Sequence, residues 1–167
     1  MIAFSVRQAR TSDISSIALL CEPLVDSRVL LGKEKVELYE SVQEFLVAED
    51  SSGKVVGCGA IHVMWEDLGE VRTLAVDKAS QGSGIGKEIL SSLLERAKAL
   101  GLKRIFCLTF EVGFFEKNGF TEIADTPVEA DVYAEMVRSN DEGIAEFLDL
   151  ARVKQNTLGN TRMLKLI

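Results

Sequence analysis

Gln81–Gly82–Ser83–Gly84–Ile85–Gly86–Lys87 sets three alternating glycines between an apolar run, Gly69 to Val76, and the strongest amphipathic pattern in the chain, Gly84 to Leu100. In that pattern Ile85, Ile89, Leu93 and Ala97 recur every fourth residue, and Leu90, Leu94 and Leu100 widen the stripe. The spacing predicts a helix with one buried face, ended by Gly101. Glycines let backbone N–H groups converge on an anion without obstruction by a Cβ. A helix N-terminus adds unpaired donors and the positive end of the helix dipole, so the turn is suited to phosphate. Two familiar phosphate loops fail on counting. GxGxxG, read from Gly82 and Gly84, needs glycine where Lys87 stands, and GxxxxGK[ST] needs glycine at Gln81 and a hydroxyl residue at Glu88. The spacing that fits is [Q/R]-x-x-G-x-[G/A], carried by Gln81, Gly84 and Gly86. Taken alone, the loop also fits a strand–helix turn that holds no ligand.

Upstream of the loop, Ala3 to Ala9 alternates as a strand, and a helix follows from Thr11 or Ser12 with Ile14, Ile17, Ala18 and Cys21 on one face. Leu38, Tyr39 and Val42 predict a second short helix. Glu44 to Glu49, Lys54 to Trp65 and Gly69 to Val76 read as three consecutive antiparallel strands, the first two joined by Asp50–Ser51–Ser52–Gly53. Downstream come a buried strand, Arg104 to Thr109, a short helix over Gly113 to Asn118, and a strand from Phe120 to Ala124. Helical spacing runs from Val128 to Leu150, and a last strand from Arg162 to Ile167. This order predicts a mixed α/β (α+β) fold, one central sheet flanked by helices, and excludes a regular βαβ alternation.

At 167 residues, 47% hydrophobic and 27% charged, the chain has the size and composition of one globular domain over 1–167. Its net charge of -7 repels phosphate backbones, which argues against a nucleic-acid partner. Cys21, Cys58 and Cys107 are scattered singly through apolar stretches and His62 is the lone histidine, so no metal site and no disulfide frame is expected. His62 itself reads as a core or near-core residue rather than a catalytic one. No stretch approaches the roughly 20 apolar residues needed to span a bilayer, and no export signal opens the chain, so a cytoplasmic protein without a membrane partner is expected.

The Gln81, Gly84, Gly86 pattern in its strand–loop–helix setting resembles the pyrophosphate loop of GNAT acetyltransferases. Gly69–Glu70–Val71–Arg72–Thr73–Leu74–Ala75–Val76, Phe106–Cys107–Leu108–Thr109, Phe114–Phe115–Glu116–Lys117–Asn118–Gly119–Phe120 and Thr161–Arg162–Met163–Leu164 are similar to the acetyltransferase domain of bacterial N-acetylglutamate synthases. The likeness runs from about Val6 to the C-terminus. It implies the GNAT fold and transfer of acetyl from acetyl-CoA to the α-amino group of L-glutamate, the first step of arginine biosynthesis. It also implies that Leu74, Ala75 and Val76 present backbone groups to the pantetheine arm. Gln81, Gly82, Ser83, Gly84, Ile85, Gly86 and Lys87 would hold the pyrophosphate, and a homodimer would be the assembly.

Glu70 matches the family carboxylate that takes the proton of the attacking amine, a step the chemistry requires because an ammonium has no lone pair. A solvated or salt-bridged strand glutamate is the plainer alternative. Arg72 falls on the same face by strand alternation, unless a bulge intervenes, and could clamp a substrate carboxylate or hold Glu70 in place. The resemblance places Lys33, Thr109 and Arg162 at substrate-binding positions, although Gly32 stands where another basic residue often occurs. Phe115 replaces a tyrosine used elsewhere in the family as general acid, which leaves Phe114 and Phe115 as packing residues. The longer relatives carry an amino-acid-kinase-like domain for which this chain has no room. Other amine acceptors (glutamine, another amino acid, a polyamine, a protein N-terminus) share the same fold and loop, as does a non-catalytic acyl-CoA sensor.

Overall fold

The computed structural model describes residues 3–150 and 159–167. The elements run β1 (Phe4–Gln8), α1 (Ile14–Asp26), α2 (Lys35–Glu40), β2 (Phe45–Asp50), β3 (Val55–Val63), β4 (Leu68–Val76), α3 (Ile85–Ala99), β5 (Arg104–Thr109), α4 (Val112–Lys117), β6 (Thr121–Glu122), α5 (Ala130–Met136), α6 (Glu142–Phe147) and β7 (Thr161–Leu166). The strands form one mixed sheet in the order β1-β2-β3-β4-β5-β7-β6. Among the described strands only β4 and β5 pair in parallel, joined by the crossover through α3. Among the described residues no helix is long and apolar enough to cross a membrane.

Side-chain alternation divides the core. Ile85, Ile89, Leu90, Leu93 and Ala97 of α3 pack with Ala48, Ile61 and Val71 on one face of the sheet. Ile14, Ile17 and Cys21 of α1 pack with Val47, Cys58, Ala60 and Ala75 on the other. Farther along that second face, Leu68 and Phe106 are covered by Met136, Ile144, Phe147 and Leu148 of the α5–α6 region.

Two irregularities in β4 shape the molecule. Ala60 lies opposite Arg72 but Cys58 lies opposite Ala75, so Thr73 and Leu74 together face Gly59 in a β-bulge. Thr73 has a φ of 58°, a left-handed backbone that costs a β-branched residue about 1–3 kcal/mol. The bulge reverses the alternation: Val71 packs toward α3 before it, Leu74 and Val76 after it. The second irregularity is an early parting. β4 pairs with β5 only through Leu68, Gly69 and Glu70, although both strands continue beyond.

The helical spacing from Val128 to Leu150 resolves into two short helices rather than one. Ser139 Oγ accepts from Asp141 N at 3.1 Å, and Asp141 Oδ1 accepts from Ile144 N at 2.9 Å, so side chains that compete with helical bonding end one helix and cap the next. The strand expected over Phe120 to Ala124 is only Thr121–Glu122, because Phe120 turns inward and stacks on Phe115 with ring centroids 5.1 Å apart.

Close packing of α3 on the sheet needs the glycines of β3. A Cβ on Gly57 would lie 2.8 Å from both Ile85 Cγ2 and Ile89 Cδ1. Gly57→Val is expected to lower stability by about 1–3 kcal/mol, read from the midpoint of denaturant unfolding. Two carboxyls also bind the fold: a hydrogen bond from Arg7 holds Asp13 below its ordinary range, and one from Arg104 does the same for Asp67. Depressed carboxyls stabilise fully above their unfolded value near 4 and lose that contribution as pH falls, so the melting temperature should drop on acidification below about pH 4.

Candidate active site

Beyond Glu70 the diverging strands leave an open cleft of about 510 Å³, the size of a small-molecule site. Leu74, Ala75, Val76, Gln81, Gly82, Gly84, Ile85, Gly86 and Lys87 all line it; of the ten loop and strand positions expected to hold a cofactor, only Ser83 does not. Ser83 Oγ instead donates to the carbonyl of Ser80 and closes the turn from behind. Gly82 and Gly84 have φ of 78° and 89°, and a Cβ on either would meet nothing within 4 Å. Backbone conformation rather than crowding therefore requires glycine at both positions. Gly84 is the N-cap of α3, so the N–H groups of the first helical turn, at Ile85, Gly86 and Lys87, lack intrahelical partners at the cleft wall. These donors and the helix dipole fit a diphosphate.

A second cleft opens on the α6 side of β4 and brings Lys33, Glu70 and Arg72 together. The two clefts share Val29, Leu30, Val71, Arg72, Thr73 and Leu108 as a common wall. Glu70 is buried, 5% exposed. Its Oε2 accepts from Arg72 Nε at 2.9 Å and also from Arg72 Nη2. The other edge of the guanidinium grips Asp141, with Nη1 and Nη2 each 2.9 Å from a carboxylate oxygen. Four of the five guanidinium N–H bonds are thereby engaged. Alternation does place Arg72 beside Glu70, because the bulge begins one residue later.

Electrostatics follow from this clamp. Burial opposes the charge of Arg72, but Glu70 and Asp141 together hold its pKa well above the ordinary guanidinium value. Burial likewise pushes the Asp141 carboxyl up, yet the hydrogen bonds and charge of Arg72 outweigh it and hold that carboxyl well below the usual range. His62 is near the core rather than in it, its side chain 21% exposed. It lies opposite Glu70 on β3, with Nδ1 2.7 Å from Glu44 and Nε2 3.8 Å from Asp141.

The other expected positions divide between the two clefts and the packing outside them. Lys33 forms no ion pair with any described residue and faces the second cleft. Thr109 is buried, lines the first cleft, and its Oγ1 accepts from Glu111 N at 2.8 Å at the start of α4. Arg162 lines neither cleft. Its guanidinium donates to the carbonyls of Glu146 and Phe147 at 2.9 and 2.7 Å, and lies 5.5 and 5.9 Å from the ring centroids of Phe106 and Phe147. It ties down the C-terminal end of α6. Phe115 packs between Phe114 and Phe120 with centroids 5.1 Å apart on each side. Burial, reinforced by the charge of Glu70, pushes the Cys107 thiol well up, so it is no reactive thiolate.

The sequence profile of the Acetyltransferase (GNAT) family matches residues 13–120. The amino-acid acetyltransferase of Mycobacterium tuberculosis is 58% identical over 161 residues, covering 95% of this chain and 92% of that protein. The chain belongs to the GNAT acetyltransferase family. The crystal structure of Rv2747 from Mycobacterium tuberculosis, in complex with CoA and a second ligand, superposes with a TM-score of 0.94 at 57% identity, covering 98% of this chain and 99% of that one. The N-acetylglutamate synthase of Neisseria gonorrhoeae, complexed with coenzyme A and N-acetyl-glutamate, shares the fold at a TM-score of 0.79 and 24% identity. The GNAT chain described here covers 35% of that longer enzyme. As a GNAT acetyltransferase the protein is an acyltransferase, and acetyl-CoA is its donor.

Asp141 and Gly143, which line the second cleft, went unread in the sequence because they sit inside what looked like continuous helix. For the first cleft, Gly84→Ala should force an alanine into the left-handed region at a cost of about 1–2 kcal/mol. The expected result is a folded protein by circular dichroism whose melting temperature rises less on titration with CoA than that of the parent.

Proposed function

We propose that the protein is an amino-acid N-acetyltransferase that moves the acetyl group of acetyl-CoA to the α-amino group of L-glutamate. The product, N-acetylglutamate, opens arginine biosynthesis. The observation that carries this reading is a buried carboxylate, Glu70, at the point where β4 and β5 part and the two clefts meet. The close relative named as an amino-acid acetyltransferase supports an amino-acid acceptor. The same reading makes 1–167 a single cytoplasmic domain acting on small molecules, and family resemblance makes it a homodimer.

In this mechanism Leu74, Ala75 and Val76 hold the pantetheine arm against the free edge of β4, and Gln81 to Lys87 hold the diphosphate. The thioester then lies at the shared wall of the clefts. Glu70 takes a proton from the substrate ammonium, and the freed amine attacks the thioester carbon directly. Negative charge gathering on the carbonyl oxygen faces N–H groups of β4 beyond its last pairing with β5. The tetrahedral intermediate collapses, the C–S bond breaks, and CoA leaves as a thiolate that takes up the second surplus proton of the former ammonium from the new amide nitrogen. A thiol with a pKa near 8.5 leaves without a strong acid, which fits a phenylalanine at position 115. Cys107 lines neither cleft, so no acyl-enzyme is invoked.

Lys33 is the anchor for a substrate carboxylate, with the one remaining Arg72 N–H beside it. Arg72 is already neutralised by two carboxylates, which favours glutamine, with one charge fewer, as a second acceptor. Initial rates of thiol release with glutamate, glutamine and buffer alone test the assignment. Turnover above buffer with glutamate is expected; turnover only with a polyamine would remove it. Glu70→Gln should lower kcat about 10²–10⁴-fold while leaving CoA binding unchanged.

A further inference from the structure

Glu70 as a proton acceptor poses a physical difficulty. Its Oε2 is already taken up by two N–H groups of the buried Arg72 guanidinium, which leaves that oxygen unable to receive a further proton without losing them. With Glu70 as its sole partner, Arg72 would be left buried and unpaired once that carboxylate took a proton, since the Glu70 and Arg72 side chains are only 6% and 10% exposed. We propose that Asp141, the N-cap of α6, is a positioning residue that relieves this difficulty: it takes the far edge of the Arg72 guanidinium, so that Glu70 retains both an oxygen and the charge to accept the substrate proton.

The three groups together carry two negative charges and one positive, a net charge of -1. The cluster therefore becomes neutral, not cationic, when Glu70 is protonated. The geometry supplies the other half. Asp141 binds both terminal nitrogens of Arg72 and fixes the guanidinium plane. That plane then holds Glu70 by Oε2 alone, which leaves Oε1 for the amine.

Asp141 is itself held firmly. Its Oδ1 also accepts from Ile144 N at 2.9 Å. α6 lies so close to the pair that a Cβ on Gly143 would collide with both Glu70 Oε2 and the Arg72 guanidinium. At its other end, Phe147 meets Phe106 edge-on at 4.9 Å and Arg162 binds the Glu146 and Phe147 carbonyls. The remaining charged or titratable groups facing the cluster are His62 of β3, which reaches Asp141 and Glu44, Cys107 of β5, Lys33 and Glu37 from the α1–α2 side, and Glu142 and Glu146 of α6 itself.

The inference rests on Glu70 being the base, and the test separates the two. Asn caps helices about as well as Asp, so Asp141→Asn removes the charge and keeps the cap. Its kcat is expected to fall about 10- to 100-fold with an unchanged thermal shift by CoA. The acid limb of kcat/KM should move to lower pH, because Arg72 then keeps one carboxylate partner in place of two. Asp141→Glu retains the charge, and its acid limb should stay with the parent. If Asp141→Asn does not fold, Asp141→Ser, another neutral cap, takes its place. Parental kcat and an unmoved acid limb in the neutral variant would overturn the proposal, as would equal losses in the neutral and charged variants with neither limb moved. A Glu70→Gln enzyme that keeps its rate would instead overturn the base assignment, whatever Asp141 does.

Discussion

The parting of β4 from β5 after Glu70 is the constraint on which the rest of the molecule depends. A parallel pair normally continues for as long as both strands do. Here β5 is bound along its whole length to β7 on its other edge, from Arg104 opposite Leu166 to Thr109 opposite Thr161. It cannot follow β4 when the bulge at Thr73 and Leu74 bends that strand away. The unpaired edge of β4 becomes the wall of a cleft. The glycine turn leading into α3 closes the far end of that wall, and the last paired residue before the gap is the buried Glu70.

Much of this was legible because it is local. The period of α3, the three glycines before it and the alternation of the strands all lie within short windows, and they stand in the structure where periodicity predicted. The nearness of Glu70 and Arg72 was legible for the same reason, since they are two residues apart on one strand. The bulge was not. Threonine is a poor residue for a positive φ, and only the register of β3 against β4 reveals why Thr73 adopts one. Asp141 was hidden by distance: it reaches Arg72 across 69 residues of sequence, from a segment whose apolar spacing resembles a single helix.

Arg162 and His62 show how residue type can mislead. A cation on the last strand is a natural partner for an anionic substrate, yet tertiary packing turns Arg162 toward the carbonyl end of a helix and two aromatic rings. A histidine in an apolar strand reads as packing near the core, and His62 does pack there, but it also borders a line of carboxylates running from Glu44 to Glu70. In both cases the deciding partners come from elements far away in the chain. α6 is only six residues long, and it nevertheless joins these features, held at one end by Arg162 and presenting its cap to Arg72 at the other.

The wall that both clefts share, Val71, Arg72, Thr73 and Leu108 with Val29 and Leu30, has a kinetic meaning. On the proposed reading donor and acceptor take separate clefts that meet along this wall, so neither must leave before the other arrives. Such an arrangement calls for a ternary complex rather than a ping-pong cycle. It also defines the shape of a selective inhibitor, a conjugate in which the amino-acid nitrogen is tethered to the CoA sulfur by a spacer just long enough to cross the partition at Thr73.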